Sequence, residues 1–133
     1  MNPPAVHRPI ETDAIIAILM NCVLNRLKLF GSSIIEYEIG KNPDIIKRNK
    51  ALGFYTIAKE KIALNDNIKN RATELQKYKI GSMDSLHLAS SEYGKVNVLL
   101  TVDNDFIKFS QNVRSAVQVI NPVNWYMEVT NDE

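Results

Sequence analysis

The sequence predicts an α/β fold built around a mostly parallel sheet. Stretches with apolar residues at helical spacing alternate along the chain with short apolar runs of strand length. Strands separated by helices are joined by crossover connections, which make the strands parallel and cover the sheet with helices. At 133 residues the chain can bury one core, and we expect a single domain over residues 1–133.

The first part of the chain predicts three helices and two short strands. In order they are a helix at 11–28, a strand at 27–33 (LKLFGSS), a short helix at 34–40 (IIEYEIG), a helix opened by Asn42 and Pro43, and a strand at 61–64 (KIAL). The first helix has the clearest pattern, because Ile15, Leu19, Val23 and Leu27 form one apolar stripe.

The second part continues the same alternation. It predicts a helix from an Asn65 cap to Tyr78, a helix capped by Ser82 and stopped by Gly94, strands at 96–102 (VNVLLTV) and 117–120 (VQVI), and a terminal helical segment, NPVNWYME. In the helix that follows Asn65, we expect Ile68, Ala72 and Leu75 to share the buried side.

The composition excludes several classes of protein. The longest apolar run, residues 14–20, is too short to cross a bilayer, and no signal-peptide pattern is present, so we expect a cytoplasmic protein without membrane contact. Cys22 is the single cysteine, which excludes an internal disulfide and a thiolate-rich metal site. Two histidines, His7 and His87, are too few for a zinc cluster.

Charge is distributed unevenly, although the whole chain carries only +1. Residues 41–80 contain ten Lys or Arg against four Asp or Glu, a net +6, and the remainder contains six against eleven, a net −5. A basic segment beside an acidic one is a possible footprint for a polyanion. The alternative interpretation is a set of solvated helix faces.

Three acidic residues from distant parts of the chain are expected to meet at one edge of the sheet. Asp103 directly follows the strand at 96–102, and Asp84 lies in the first turn of the preceding helix. Glu38 lies in the helix that follows the strand at 27–33. In a parallel sheet with crossover helices, strand ends and helix starts fall on the same edge, which is where such folds bind ligands.

Carboxylates gathered in this way predict a divalent cation, because they repel one another unless a cation offsets their charge. Oxygen ligands without cysteine or clustered histidine favour Mg²⁺ or Mn²⁺. Such an ion can support phosphodiester hydrolysis by activating water and stabilising charge on the phosphate. The alternative for each acid alone is ordinary capping or turn chemistry, and Asp105 is either a fourth carboxylate or a turn residue.

The segments SSIIEYEI, RATELQKYKIGSMDSLHLASSE and LLTVDNDF, followed by VQVINPVNW, resemble the PIN-domain nucleases, which include the VapC-like toxin ribonucleases. The resemblance implies a three-layer α/β/α fold and a Mg²⁺- or Mn²⁺-dependent endoribonuclease site. Its catalytic, metal-binding residues would be Glu38, Asp84 and Asp103. Asp105 matches a position that is often acidic and can assist in metal binding.

The same resemblance assigns supporting roles and partners. Ser33 and Thr101 match the small hydroxyl residues that support the acids. RNA is the implied substrate, and a protein antitoxin and a homodimer are the implied partners, as for a toxin of a toxin–antitoxin pair.

The sequence departs from the family pattern at its beginning. Family members start with a short apolar strand that ends in an aspartate, whereas this chain opens MNPPAVHRPIETDAIIAIL. We therefore expect either a start upstream of Met1 or a protein that has lost the strand and the first metal ligand. In the second case, the alternative function is a catalytically impaired module that binds RNA or a protein partner.

Overall fold

The computed structural model describes residues 10–131 and shows a mixed α/β fold, as predicted. The helices in this range are α1 (Ile10–Val23), α2 (Ser33–Lys41), α3 (Ile45–Tyr55), α4 (Asp66–Leu75), α5 (Ser82–Tyr93), α6 (Asn104–Ser110) and α7 (Pro122–Asn131). The strands are β1 (Phe30–Ser32), β2 (Glu60–Ile62), β3 (Val98–Leu100) and β4 (Gln118–Ile120). The predicted lack of a strand before the first helix concerns residues 1–9, which lie outside the described residues.

All strand pairings in residues 10–131 are parallel, which confirms the predicted direction of the chain. The strands form two two-stranded sheets, β1 with β2 and β3 with β4, rather than the single sheet expected from the sequence. Phe30 lies opposite Glu60 in the first sheet, and Val98 lies opposite Gln118 in the second. Each strand is therefore paired along one edge only within the described part of the chain.

The best-packed region of the molecule is the contact between α4 and α5. Ile68, Leu75 and Leu88 are 1%, 0% and 0% exposed, respectively, in one cluster with Phe106 of α6. Asn65 caps α4 as predicted, because its side-chain oxygen accepts a hydrogen bond of 2.9 Å from the backbone N–H of Ile68. This cluster anchors α5, and through it the Asp84 backbone.

Two predicted helix caps were wrong by one or two residues. Asp44, rather than Asn42, caps α3, with its Oδ1 accepting from backbone N–H groups of the first turn at 3.0 and 3.2 Å. Asn42 instead accepts a bond of 3.0 Å from Asp44 N, which shapes the turn that leads into the helix. Gly81, rather than Ser82, occupies the cap position of α5, and Ser82 is the first helical residue.

The buried stripe of α1 differs from the predicted one by a rotation of one residue. The structure buries Ala14, Ile18 and Cys22, whereas Ile15 and Val23 are 40% and 52% exposed. Both rows are apolar, and they are neighbours on a helix surface, so spacing alone could not choose between them. The chosen row faces the interior beside α7.

The sequence also predicted a later end for α1, at residue 28. The helix stops at Val23, and Asn25 adopts a left-handed backbone conformation with φ 60°. Such a residue ends a helix, and asparagine tolerates the conformation better than most side chains. Leu27 therefore belongs to the connection that leads into β1.

No helix within residues 10–131 has both the length and the apolar character needed to cross a membrane.

Tyr55 at the end of α3 fixes two helices against β1. A Cβ atom at Gly31 would lie 2.5 Å from the Tyr55 hydroxyl oxygen, so only glycine leaves room for the ring. The phenol oxygen lies 2.6 Å from Glu36 Oε2 and 3.3 Å from the carbonyl oxygen of Ser32. Burial and then the neighbouring Glu36 raise the pKa of Tyr55 to about 12. This contact ties α2, which carries Glu38, to the end of α3.

The two isoleucine rows of α1 can be compared directly. We expect Ile18→Ala to lower the free energy of unfolding by about 2 kcal/mol or more, since Ile18 is 7% exposed. Ile15→Ala, on the same helix, should cost less than about 1 kcal/mol because its side chain already contacts solvent. Urea unfolding followed by circular dichroism measures both changes. A larger loss for Ile15→Ala would contradict the orientation of α1.

Candidate active site

The structure brings Glu38, Asp84 and Asp103 into one region, although they belong to three different helices or caps. Glu38 lies on α2, directly after β1, and Asp84 lies in the first turn of α5. Asp103 is the N-cap of α6, three residues beyond the end of β3. The negative charges of Asp103 and Glu38 both raise the pKa of Asp84, so the three side chains lie within electrostatic range.

Asp84 is the most perturbed acid of the group. Burial is the largest cause of its raised pKa, followed by the charge of Asp103, while the charge of His87 acts in the opposite direction and that of Glu38 adds a smaller increase. Loss of hydration and like-charge repulsion therefore both disfavour the ionised carboxylate. A group of this kind at the rim of a cavity is typical of functional sites.

His87 links α5, which carries Asp84, to α2, which carries Glu38. It lies on α5, one turn after Asp84, and its Nε2 is hydrogen-bonded to Glu38 Oε1 on α2. The His87 side chain is only 18% exposed, while that of Glu38 is 48% exposed. The sequence gave no signal that the partner of His87 would be Glu38, 49 positions away.

Asp103 is held in place by its role in the local backbone. Its Oδ1 accepts hydrogen bonds from the N–H groups of Asp105 and Phe106 at 3.0 and 3.1 Å. Its own N–H donates to the Thr101 hydroxyl at 3.1 Å. Phe106 is 3% exposed, so the capped turn is anchored in the core. Thr101 thus supports the acid by shaping the loop, which the sequence prediction allowed.

Ser33 and Asp105 have different surroundings from the three central acids. The Ser33 hydroxyl accepts a hydrogen bond of 3.0 Å from Leu64 N, so it ties the start of α2 to the segment after β2. Asp105 is exposed in the first turn of α6. The charges that shift the pKa of Asp84 are those of Asp103, His87 and Glu38, which makes Asp105 a peripheral member of the group.

The donor chemistry of the group suits a hard divalent cation, since it consists of carboxylate oxygens that repel one another. In this conformation, however, no three His, Cys, Asp or Glu side chains within residues 10–131 are arranged to hold one ion together. Glu38 is hydrogen-bonded to His87 rather than directed to the two aspartates. The Glu38 side chain is 48% exposed, so solvent rather than packed side chains surrounds about half of it.

The arrangement can therefore concentrate negative charge at one rim of a cavity that Glu38, Asp84 and His87 line. That property suits binding of a cation, and through it binding of a phosphate group. No protein-family profile, curated protein or solved structure matches the chain significantly.

The raised pKa of Asp84 predicts a pH-dependent effect of removing its charge. The folded state raises the pKa of Asp84 above its usual 3.8, so it disfavours the ionised carboxylate. Folding therefore becomes less favourable as the pH rises above 3.8 and the carboxyl group ionises. Asp84→Asn should therefore increase the free energy of unfolding at pH 7, and this gain should shrink as the pH approaches 3.5.

Urea unfolding at a series of pH values measures the effect. Glu128→Gln, an exposed acid-to-amide change on α7, is the matched control and should show no comparable gain. A loss of stability in Asp84→Asn at pH 7 would show that the carboxylate is stabilised in the fold, contrary to the environment described.

Proposed function

We propose that the protein is a metal-dependent ribonuclease of the PIN type, in which Glu38, Asp84 and Asp103 bind Mg²⁺ or Mn²⁺. The observation that carries this proposal is that the charges of Asp103 and Glu38, from two separate elements, both act on the half-buried carboxyl group of Asp84 and raise its pKa. The three-layer α/β/α arrangement of that family is part of the proposal. The parallel pairings and the helices that alternate with the strands support it.

Each acidic residue would contribute through its own environment. Asp84 is half-buried, so its carboxylate would gain most from a cation that replaces lost hydration. Asp103 is pre-oriented by its cap, and Glu38 would exchange its bond to His87 for the cation. A bound divalent ion would lower the pKa of a coordinated water and stabilise the charge that develops on the scissile phosphate.

His87 would control when Glu38 is available. A protonated imidazole holds the Glu38 carboxylate as an ion pair, whereas a neutral one holds it by a hydrogen bond without net charge. His87 lies on the helix that carries Asp84, so its contact with Glu38 connects the elements that carry the two acids. We therefore treat His87 as a positioning residue rather than a catalytic one.

The basic segment 41–80 offers cations for an RNA backbone. Some of its cations are already engaged, as Arg71 is with Glu92 at 2.7 Å. Lys47 and Lys50 are exposed on α3, and neither forms an ion pair with any residue that the structure describes. They are three positions apart on a helix, so their side chains share one face. These two lysines are the proposed contacts to phosphate groups.

A second candidate function is a non-catalytic module of the same fold that binds RNA or a protein partner, with a homodimer or an antitoxin among the possible partners. The hydrogen bond between Glu38 and His87 favours it, because that bond occupies an acid on which catalysis would depend. Calorimetric titration with Mn²⁺ separates the two candidates. Binding that disappears in Asp84→Asn supports the nuclease, and absence of binding supports the module.

Cleavage of RNA tests the first proposal. The purified protein with Mn²⁺ should cleave a fluorescently labelled single-stranded RNA, and EDTA should abolish the cleavage because it removes the ion. Asp84→Asn and Asp103→Asn should each lower the rate at least about 100-fold, in line with the loss of a group that stabilises the transition state.

Asp103→Asn tests the charge of the side chain alone. Asparagine caps helices about as well as aspartate, so the substitution removes the charge and keeps the N-cap. Glu128→Gln is the control and should leave the rate unchanged. Equal cleavage by the wild type and by Asp84→Asn would mean that the activity comes from elsewhere.

Binding to RNA in EDTA tests the basic face independently of cleavage. Loss of two phosphate contacts in Lys47→Gln/Lys50→Gln should lower the slope of log affinity against log salt by about 1.4, at about 0.7 for each contact to single-stranded RNA. Lys108→Gln, on α6 and outside the basic segment, is the control. Fluorescence anisotropy at several salt concentrations gives the slopes, and identical slopes would exclude this face.

A further inference from the structure

An exposed aromatic side chain lies directly beside one of the three acids. Tyr37 precedes Glu38 on α2 and is 52% exposed. Ile35 and Ile39 of the same helix line a groove between α2 and α3. Tyr37 is two positions from each of them, so it lies on the opposite side of α2 and does not pack in that groove. Its ring is therefore open to solvent at the flank of the candidate active site.

Tyr37 differs from Tyr55, the tyrosine that ties α2 to the end of α3. The Tyr55 hydroxyl donates to Glu36 Oε2 at 2.6 Å and lies 3.3 Å from the carbonyl oxygen of Ser32. The Tyr37 hydroxyl has no hydrogen-bond partner within residues 10–131. It therefore does not connect elements of the described fold, and the side chain is available to a ligand.

Lys41 places a positive charge over the same ring. Its Nζ atom lies 4.9 Å from the ring centroid of Tyr37, which is a cation–π geometry. Lys41 is exposed, and it forms no ion pair with any residue in the described part of the chain. An aromatic ring that can stack on a base, beside a cation that can contact a phosphate, is the combination by which proteins bind single-stranded nucleic acid.

Both side chains project toward the end of α2 that lies nearest the acids. The helix begins at Ser33, directly after β1, and side chains on a helix tilt toward its N-terminus. Glu38 is the next residue after Tyr37, and its charge acts on Asp84. A nucleotide with its phosphate at the acids would therefore place its own base, or that of a neighbouring nucleotide, beside the Tyr37 ring.

We propose that the Tyr37 ring stacks against an unpaired nucleobase of a single-stranded RNA and that Lys41 binds a phosphate group of the same strand. The inference rests on the proposed ribonuclease function for the identity of the ligand, and it adds a base-binding residue next to the acids. Bases within a duplex are paired and stacked on one another, so this subsite accepts only unpaired nucleotides. Every base has a π face, so we expect no strong preference for a particular base.

Binding of a short single-stranded RNA tests the stacking, with the full protein in EDTA so that no metal-dependent cleavage occurs. The RNA carries one fluorescent adenine analogue whose emission falls when it stacks on an aromatic ring. Tyr37→Leu should bind about tenfold more weakly than the wild type and lose the quenching. Tyr37→Phe keeps the ring and should stay within about twofold of the wild type. The fully paired duplex should bind equally to the wild type and to Tyr37→Leu, because its bases are not free to stack.

Tyr93→Leu is the matched control for the loss of an exposed tyrosine. Tyr93 is 54% exposed and ends α5, the helix in which Asp84 occupies the first turn. Along the helix axis the two residues are about 14 Å apart. Tyr93→Leu should leave the affinity and the quenching unchanged. Both tyrosines are exposed, so we expect both leucine variants to unfold at the same urea concentration as the wild type.

The dependence of binding on salt separates the role of Lys41 from that of Tyr37. Lys41→Gln should lower the slope of log affinity against log salt by about 0.7, the value for one phosphate contact to a single strand. Lys41→Arg keeps the charge and should keep the slope. Tyr37→Leu should also leave the slope unchanged, because a stacked ring releases no counterions.

Several results would overturn the proposal. Equal affinity of Tyr37→Leu and the wild type would exclude the stacking, and so would an equal loss of affinity in Tyr93→Leu. An unchanged salt slope in Lys41→Gln would exclude the phosphate contact. Absence of RNA binding by the wild type in EDTA would exclude both.

Cleavage in Mn²⁺ is measured separately, so that failure of the subsite and failure of the nuclease are distinguishable. Binding that depends on Tyr37, without any cleavage, would support the subsite and contradict the proposed nuclease. Cleavage by the wild type, with Tyr37→Leu binding RNA as tightly as the wild type, would support the nuclease and contradict the subsite.

Discussion

The direction in which the chain crosses between parallel strands is the constraint on which the rest of the structure depends. Each crossover returns the chain to the same end, so residues after a strand and residues at the start of the neighbouring helix are brought together. Glu38, Asp84 and Asp103 meet for this reason, although 65 positions separate the first from the last. The crossover topology is enough to bring the three acids together, and the well-packed contact between α4 and α5 keeps the Asp84 backbone in position.

The division of the parallel sheet into two small sheets costs backbone hydrogen bonds. Two short parallel ladders, each three residues long, offer few backbone hydrogen bonds and leave edges facing an apolar cavity. Parallel sheets are ordinarily buried on both faces and continuous. The acidic rim therefore lies at the mouth of a cavity that is lined by both sheets. Residues 96–101 line this cavity and lead directly to Asp103.

Local signals in the sequence predicted the order and type of the elements well. Asn65 as a cap and Ile68, Ala72 and Leu75 as a buried row were correct, because capping and periodicity act over a few residues. The buried row of α1 was wrong, since two adjacent rows are apolar and tertiary packing makes the choice. The short cap motif at Asn42 and Pro43 also misled, because the helix begins two residues later, where Asp44 accepts from the backbone N–H groups of Ile46 and Lys47.

Long-range features of the site could not be predicted from local patterns. The bond between His87 and Glu38 depends on how α2 and α5 pack, and the division of the sheet depends on which strand edges find partners. The convergence of the acids could be anticipated, because it follows from topology rather than from side-chain packing.

One consequence concerns α3. None of its residues is buried, and Tyr55 at its last position connects it to α2 through Glu36 and to β1 through the Ser32 carbonyl. A helix with so little buried surface belongs to the least cooperative part of a structure. Its turns should open and reform before the remaining fold unfolds, so the surface that carries Lys47 and Lys50 would change its backbone conformation at a lower cost than the rest of the molecule.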